Sequence, residues 1–244
     1  MVRCNYIYKG FALAFIIFAA DLFCSRVYSQ DNDYRVIFKD DWKKAEEFID
    51  SNSGWIKPFL RKNDIGFNEA MAVVFPELIR YSALRDRMET ALLKTLYVNL
   101  GKEYANFSIG PFQMKPSFAE LLGISARSVQ RGKLRQMVRD SAEFSDITDY
   151  RKAILTDLED PSRQLGYLVV FFRICERKFN LTGMNPEERI RFLSTAYNYG
   201  FFRQQSEIAA MEGKRFFSNA LFSGDHYPYA DVSLAWYRAA IKKR

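Results

Sequence analysis

Residues 162–179, SRQLGYLVVFFRICERKF, decide the fold class of this chain. Their apolar side chains recur every three or four positions, at Leu165, Leu168, Val169, Phe172 and Cys175. An apolar face this wide is typical of a helix that is buried in a protein core. The stretch therefore predicts a buried helix.

Helical signals also occur on both sides of this stretch. Residues 185–188, Asn-Pro-Glu-Glu, combine a capping residue, a proline suited to the first helical position and acidic residues, so they predict the start of a helix that ends at Gly200. Residues 232–243 predict a last amphipathic helix that packs on the rest of the chain. Residues 69–80 predict a strongly apolar helix, which Pro76 should kink or restart.

Two further helices are predicted nearer the amino end. Residues 41–60 predict a short helix that Gly54 and Pro58 close. Residues 84–100 predict a helix that ends at Gly101. The apolar face of this second helix follows a four-residue step, at Leu84, Met88, Leu92, Leu96 and Leu100.

The middle of the chain mixes loop and helix signals. Glycine, proline, asparagine and serine cluster in residues 102–118, which predicts a loop or a small hairpin. Ser117 and Glu120 then predict a capping box, and Gly123 the end of the helix that it opens. Residues 125–149 predict helix or ordered loop. Because no strand alternation of useful length appears, the fold class is expected to be mainly α with at most a small β-hairpin.

The amino end predicts a secretory signal peptide over residues 1–29. Basic residues precede the apolar stretch 11–20, FALAFIIFAA, and Val27 and Ser29 occupy the positions that a signal peptidase reads. Cleavage after Ser29 leaves one domain, residues 30–244, which is expected in a bacterial periplasm or outside the cell. The apolar stretch is shorter than the ~20 residues that a membrane span needs, so no stable span is expected after cleavage.

Charge, cysteine and histidine content bear on the kinds of partner and cofactor to expect. The formal net charge is +7, but basic residues are scattered among acidic ones, so a nucleic-acid partner is not expected. Cys4 and Cys24 lie in the predicted signal peptide, which leaves Cys175 without a disulfide partner in the mature chain. Cys175 and the single histidine, His226, do not make up the usual ligand set of a zinc site. A zinc site of that kind is therefore not expected.

Glu77 is the acid with the most unusual surroundings in the sequence. Apolar residues 73–75 precede it and residues 78–79 follow it, before charge returns at Arg80. A carboxyl group in such surroundings loses hydration, which raises its pKa toward values that suit proton donation. The alternative is an acid at the polar edge of a helix that is paired with Arg80, and the sequence leaves both interpretations open.

Two other motifs contain polar side chains next to turn signals. In residues 108–117, SIGPFQMKPS, Gly110 and Pro111 fix a turn, and Gln113 offers a donor and an acceptor that can grip a sugar. In residues 196–200, AYNYG, the chain leaves a helix, with an asparagine that can cap it and a tyrosine that can enter the core.

Taken in order, Glu77 and these two motifs resemble the lysozyme-like superfamily, in particular its lytic transglycosylases and goose-type lysozymes. That family has a catalytic glutamate at the end of an apolar helix, then a Gly-Leu-Met-Gln type loop and an Ala-Tyr-Asn-x-Gly helix end. The loop is similar at Gly110, Gln113, Met114 and Pro116. The helix end is similar at Ala196, Tyr197, Asn198 and Gly200. The resemblance covers residues 67–200.

The chain also departs from the family pattern. Leu78 stands where the family has serine after the glutamate, and a predicted helix lengthens the spacing from Glu77 to Ser108. Glu89 and Glu103 are therefore alternatives for the catalytic acid, although an apolar run precedes only Glu77.

The resemblance implies an α+β lysozyme-like domain that acts on the glycan strands of peptidoglycan. It implies a glycosidase that cuts the β-1,4 bond between N-acetylmuramic acid and N-acetylglucosamine, with Glu77 as its single acid and base. It also implies that substrate is bound by side chains from the loop and the helix end, namely Ser108, Gln113, Met114, Tyr197 and Asn198. It implies no metal or cofactor.

Two other functions remain open from the sequence. The first is a non-catalytic envelope module that binds glycan or a partner protein with the same fold. The second is a helical exported scaffold in which the three motifs occur by chance. Chance motifs have no reason to converge in space, so the positions of Glu77, Gln113 and Tyr197 discriminate between these hypotheses.

Overall fold

The computed structural model describes residues 33–83, 88–128, 132–218 and 225–242, except for the side chains of residues 82–83 and 88–90. The predicted signal peptide, with Cys4 and Cys24, lies outside the described residues. The chain divides into two units, Met1–Ile37 and Phe38–Arg244, and most of the helices belong to the second unit.

Ten α-helices make up most of the part of the chain that the structure describes. They are α1 (Tyr34–Lys62), α2 (Phe67–Ala83), α3 (Met88–Leu100), α4 (Pro116–Ala126), α5 (Gly132–Arg135), α6 (Ile147–Glu159), α7 (Pro161–Lys178), α8 (Pro186–Thr195), α9 (Gln205–Met211) and α10 (Tyr229–Lys242). A 3₁₀ turn covers Ser141–Glu143, and a π-helical turn covers Ala196–Gly200. The prediction of a mainly α fold is confirmed.

Helix α7 is the buried helix that its sequence predicts. Every residue from position 164 to position 172 is buried. The Asp160 side chain caps its start by accepting a hydrogen bond from the Ser162 amide at 2.8 Å. Edge-on aromatic contacts join Phe171 to Tyr197 at 5.4 Å and to Phe201 at 5.9 Å between ring centroids. Helix α7 therefore packs against the chain segment that follows α8.

Helices α2, α8 and α10 pack on one another in a second group. Helix α8 starts where the sequence predicts, with Pro186 at the first helical position, and Asn185 and Glu188 form a capping box there. Helix α10 is the predicted amphipathic tail, and its Trp236 stacks on Phe75 of α2 at 5.2 Å. The helix at the end of the chain thus packs on the helix that carries Glu77.

The predicted end of the first helix at Gly54 and Pro58 is wrong. Helix α1 runs through both residues to Lys62, although Lys39 near its start has a non-helical φ of 44°. Gly54 and Pro58 are exposed, so the Gly54 carbonyl that loses its helical donor to proline can bind water. Helix α2 likewise continues through Pro76 without restarting, because residues 70–75 and 78–79 are all buried in the core.

Helix α3 ends at Gly101 as predicted, but its buried face is not the predicted one. Leu92 is 65% exposed and Leu100 is 49% exposed, whereas Tyr97 is fully buried. A four-residue step overshoots one helical turn by roughly 40°, so leucines at that spacing do not stay on one face. Leu84 and the side chain of Met88 lie outside the described residues.

The predicted capping box at Ser117 and Glu120 is also wrong. Helix α4 starts at Pro116 without a side-chain cap, and Glu120 instead accepts a hydrogen bond from the Tyr97 hydroxyl at 2.7 Å. Gly123 lies inside the helix and does not end it. A Cβ atom on Gly123 would lie 2.0 Å from the carbonyl oxygen of Arg139, so this glycine allows the two backbones to meet.

Residues 125–149 contain helical and ordered elements, as predicted, apart from residues 129–131, which lie outside the described residues. Helix α5 and the 3₁₀ turn over Ser141–Glu143 fall within this segment. Asp140 connects the segment to the end of α4 through an ion pair with Arg127.

Two small β elements complete the fold. Ile109 and Met114 form the hairpin expected in residues 102–118, through backbone hydrogen bonds of 3.0 and 3.1 Å. Strands β1 (Arg215–Phe217) and β2 (Tyr227–Pro228) pair antiparallel. This pair was not predicted, since strands of three and two residues are too short for an alternating pattern.

Among the described residues, no helix combines the length and the apolar character that crossing a bilayer requires.

Candidate functional site

Glu77 lies on helix α2 and is 5% exposed. Its two carboxylate oxygens, Oε1 and Oε2, lie 3.2 and 3.3 Å from Nη1 of Arg80, one helical turn further on. Burial raises the pKa of Glu77, and the charge and hydrogen bond of Arg80 oppose that shift without reversing it. The structure therefore combines the two interpretations that the sequence left open, a desolvated acid and an ion pair with Arg80.

Tyr229, the first residue of α10, is a second partner of Glu77. Its hydroxyl donates to the carbonyl oxygen of Val73 at 3.1 Å. The hydroxyl of Tyr229 also acts on Glu77 by favouring the ionised carboxylate, and the positive charge of Lys115 acts in the same direction. Burial and the nearby charge of Glu77 raise the pKa of Tyr229, so its hydroxyl stays protonated.

Arg80 connects Glu77 to the chain near the β1–β2 pair. The guanidinium carbon of Arg80 lies 4.5 Å from the centre of the Phe217 ring. Nε of Arg80 donates to the carbonyl oxygen of Ser218 at 3.4 Å. The position of this arginine is thus set by residues more than a hundred positions away in the sequence.

Tyr197 joins the second motif to the third and also lies near the acid. Its hydroxyl donates to the carbonyl oxygen of Phe112, inside the Ile109–Met114 hairpin, at 2.8 Å. Burial raises the pKa of Tyr197, and the negative charge of Glu77 adds to this rise. The structure therefore brings Glu77, the SIGPFQMKPS turn and the AYNYG helix end together.

Gln164 holds the turn from the opposite side and was missed by the sequence reasoning. Its side chain is fully buried; Nε2 donates to the carbonyl oxygens of Ile109 at 2.7 Å and Leu158 at 2.6 Å. Its Oε1 accepts from the Phe112 amide at 3.0 Å. Gly110 has a φ of +66°, and a Cβ atom there would lie 2.2 Å from Nε2 of Gln164. The signal in the sequence that could have identified Gln164 is a polar glutamine inside a helix that is predicted to be buried.

The other predicted substrate-binding residues occupy different environments. Gln113 is half-buried with a φ of 48°, and its side-chain amide donates to the Gly110 carbonyl at 2.8 Å. Met114 is buried, whereas Ser108 and Asn198 are exposed. In the described part of the chain the Glu77 carboxylate accepts hydrogen bonds from Arg80, and neither Ser108 nor Asn198 contacts it in this way.

The alternative acids differ from Glu77 in their surroundings. Glu103 is exposed, which leaves its carboxyl in water. The side chain of Glu89 lies outside the described residues. Glu77 is thus the candidate acid for which the structure shows burial.

Residues suited to metal binding or nucleophilic attack do not gather at this site. Cys175 is buried in α7, and burial raises the pKa of its thiol, which keeps the sulfur protonated. His226 is exposed. Within residues 33–83, 88–128, 132–218 and 225–242, no three His, Cys, Asp or Glu residues are placed to hold a metal ion.

No protein-family model, curated protein or solved structure matches this chain. The resemblance to the lysozyme-like superfamily therefore stays a prediction.

Proposed function

We propose that this chain is an exported glycosidase that cleaves the β-1,4 bond between N-acetylmuramic acid and N-acetylglucosamine in peptidoglycan, with Glu77 as its single acid and base. The observation that carries the proposal is the convergence around Tyr197. This residue hydrogen-bonds the turn at Phe112, 85 positions earlier in the chain, and lies close enough to Glu77 for its pKa to respond to that charge. Motifs that matched the family by chance would have no reason to meet.

In the first step of the proposed reaction, protonated Glu77 donates its proton to the glycosidic oxygen. The bond from that oxygen to the anomeric carbon of the muramic acid breaks, and positive charge develops on the sugar ring. A buried carboxyl is suited to this role because burial raises its pKa and keeps a proton available nearer neutral pH. Arg80 then faces the carboxylate that the transfer leaves behind.

In the second step the Glu77 carboxylate takes a proton back from the attacking hydroxyl. When the 6-hydroxyl of the muramic acid attacks its own anomeric carbon, the product is an anhydro sugar. When water attacks, the product is a reducing sugar. Both routes return Glu77 to its protonated form, so one acid serves both steps.

The turn and the helix end would form the sugar-binding side of the site in a lysozyme-like domain. Gln113 keeps its carbonyl oxygen for a ligand, because the hydrogen bond to Gly110 uses its side-chain amide as donor. Asn198 and Ser108 are exposed, as side chains that reach a glycan in a cleft must be. Tyr197 holds the turn in place through Phe112.

A second candidate is the non-catalytic module that binds glycan or a partner protein through the same surface. The observation that favours it is the ion pair between Glu77 and Arg80, because an acid held by an internal arginine can serve packing alone. Leu78, where the family has serine, agrees with this alternative.

Exposure of the purified protein to insoluble peptidoglycan tests the proposal. Soluble muropeptides are separated by liquid chromatography and identified by mass spectrometry, which also distinguishes anhydro from reducing ends. We expect release by the wild type and a loss of about 10²–10⁴-fold in Glu77→Gln, the usual contribution of a general acid.

Glu69→Gln is a matched control, since Glu69 lies on the same helix and pairs with Arg189. It should retain release. If the wild type binds insoluble peptidoglycan in a pull-down but releases no muropeptides, the result would support the binding module. If wild type and Glu77→Gln release equal amounts of muropeptides, the proposed role of Glu77 is wrong.

A further inference from the structure

We infer that Arg80 is a positioning residue for the Glu77 carboxyl, and that Phe217 and Ser218 fix Arg80 in that position. The inference deepens the proposed function and rests on it where it concerns activity. Its structural part concerns Glu77 alone and can be tested without a substrate.

The contact between the two side chains is centred on the carboxyl group. Nη1 of Arg80 is almost equidistant from both oxygens of Glu77, at 3.2 and 3.3 Å. A donor in this position limits rotation of the carboxyl plane, since turning either oxygen away lengthens a hydrogen bond to a charged group. The orientation of the carboxyl plane is therefore fixed by Arg80.

Residues from the far end of the chain limit the movement of the guanidinium group. The Phe217 ring, which is fully buried, lies against one face of it, and the Ser218 carbonyl accepts from Nε. Phe217 also packs edge-on against Tyr229, at 5.7 Å between centroids. One segment, residues 217–218, thus contacts both Arg80 and Tyr229.

Among the described residues, four titratable groups interact electrostatically with Glu77, each from a different part of the fold. Arg80 comes from α2, Tyr197 from the π-helical turn, Tyr229 from α10, and Lys115 from the residue before α4. Among the groups that lower the pKa of Glu77, Arg80 contributes the largest effect, through both its charge and its hydrogen bond. Loss of Arg80 should therefore raise the pKa of Glu77 further.

The first test measures the titration of Glu77 directly. Protein labelled with ¹³C at the glutamate side-chain carboxyl is titrated by NMR, and the Glu77 signal is assigned from its absence in Glu77→Gln. We expect the midpoint to move up by about one pH unit or more in Arg80→Met, the usual effect of losing an opposite charge at this distance.

Two more variants separate charge from position. Arg80→Lys keeps the positive charge, so the Glu77 midpoint should stay near that of the wild type. The lysine cannot cover the Phe217 ring as the planar guanidinium group does. Phe217→Leu keeps Arg80 but removes the ring beneath it, so it should move the midpoint in the same direction as Arg80→Met by a smaller amount. If Arg80→Met does not fold, the Glu77 midpoints of Arg80→Gln and Phe217→Leu decide whether Arg80 positions the carboxyl.

Arg189→Met is the matched control for the loss of an arginine. The Arg189 side chain is 24% exposed and pairs with Glu69, which lies on the same helix as Glu77. The Arg80 side chain is similarly exposed, at 26%, and pairs with Glu77. Arg189→Met should leave the Glu77 midpoint unchanged. An unchanged midpoint in Arg80→Met, or an equal shift in Arg189→Met, would overturn the inference.

The second test uses muropeptide release as a function of pH. Because the acid must be protonated to donate, activity should fall as pH rises through the pKa of Glu77. This basic limb should lie at higher pH in Arg80→Met, by the same shift as the NMR midpoint. If wild type releases nothing, the proposed function fails while the NMR titration still decides the role of Arg80.

Discussion

Asp157 and Glu77 are both buried carboxylates that face arginines, but different numbers of donors reach them. Asp157 on α6 is 2% exposed and accepts hydrogen bonds of 2.8 Å from both Arg139 and Arg163. Burial acts to raise the pKa of Asp157, yet the hydrogen bonds from the two arginines outweigh it and the pKa is lowered. Glu77 has one arginine at a longer distance, and its pKa is raised.

The comparison shows that the partners, and not burial by itself, decide whether a buried carboxyl keeps its charge. Asp157 stays ionised and ties α6 to α7 and to the segment before the 3₁₀ turn, through Arg163 and Arg139. Glu77 has fewer charged donors than Asp157, so burial outweighs them and its pKa is raised. A group that can hold and release a proton suits catalysis, whereas a permanently ionised one suits structure.

The largest expected effect is on stability, from the loss of Asp157. Asp157→Ala leaves Arg139 and Arg163 without their shared acceptor, which should lower the free energy of unfolding by about 3–5 kcal/mol. Urea denaturation followed by circular dichroism measures the change. Asp149→Ala removes an exposed ion pair with Lys152 and should change stability little. Equal effects of the two variants would contradict a structural role for Asp157.

The next effect concerns Gln164, a buried polar side chain whose partners are all neutral. Gln164→Leu keeps the volume but leaves the Phe112 amide and the Leu158 carbonyl without a partner, and it removes one of the two donors to the Ile109 carbonyl. Stability should fall by about 2 kcal/mol or more. Hydrogen exchange should also speed up at the Met114 amide, which bonds Ile109 across the turn.

Gln205→Leu serves as the control for Gln164. Gln205 also bridges backbone groups, the amide and carbonyl of Asn180, but near the surface, where water can replace it. If Gln205→Leu lowered stability as much as Gln164→Leu does, burial of the glutamine would not explain the effect at Gln164.

Local signals in the sequence predict some helix ends correctly and others wrongly. The helix start at Asn185 and the helix end at Gly101 depend on neighbours within a few positions, and both are present. The prediction that Gly54 and Pro58 end the first helix was wrong, since α1 runs through both residues. The unfavourable helix propensity of two exposed residues is smaller than the free energy that a helix gains by burying a whole face.

The candidate site was predictable only in part. The apolar run around Glu77 predicts its burial, and its spacing to Arg80 allows a pair. Tyr229, Gln164 and Phe217 reach the site from distant parts of the chain, through contacts that arise only when helices pack. Their own neighbours in the sequence contain no signal of those contacts.

Glu77 and Asp157 should affect the pH dependence of stability with opposite sign. Protonated Glu77 favours folding below the ordinary pKa of 4.5, and this contribution is lost as pH rises through its raised pKa. Ionised Asp157 favours folding above the ordinary value of 3.8, and this contribution is lost as pH falls through its lowered pKa.

Stability of wild type, Glu77→Gln and Asp157→Asn as a function of pH tests that opposition. Relative to wild type, Glu77→Gln should become more stable as pH rises from about 4 to about 8, by at most about 1.4 kcal/mol per pH unit. Asp157→Asn should approach wild type as pH falls below the ordinary value of 3.8. If the stabilities of the two variants relative to wild type changed with pH in the same way, Glu77 and Asp157 would have the same protonation state in the folded protein.

The smallest expected effect comes from Tyr229, the neutral partner of Glu77. Its one hydroxyl proton has two acceptors nearby, the Val73 carbonyl and the Glu77 carboxyl, so its hold on the carboxylate is weaker than that of Arg80. Tyr229→Phe should raise the pKa of Glu77 by less than Arg80→Met does and lower stability by about 1 kcal/mol. The NMR titration of Glu77 measures the first effect and urea denaturation the second. A shift larger than that of Arg80→Met would mean that the hydroxyl, and not the arginine, sets the state of Glu77.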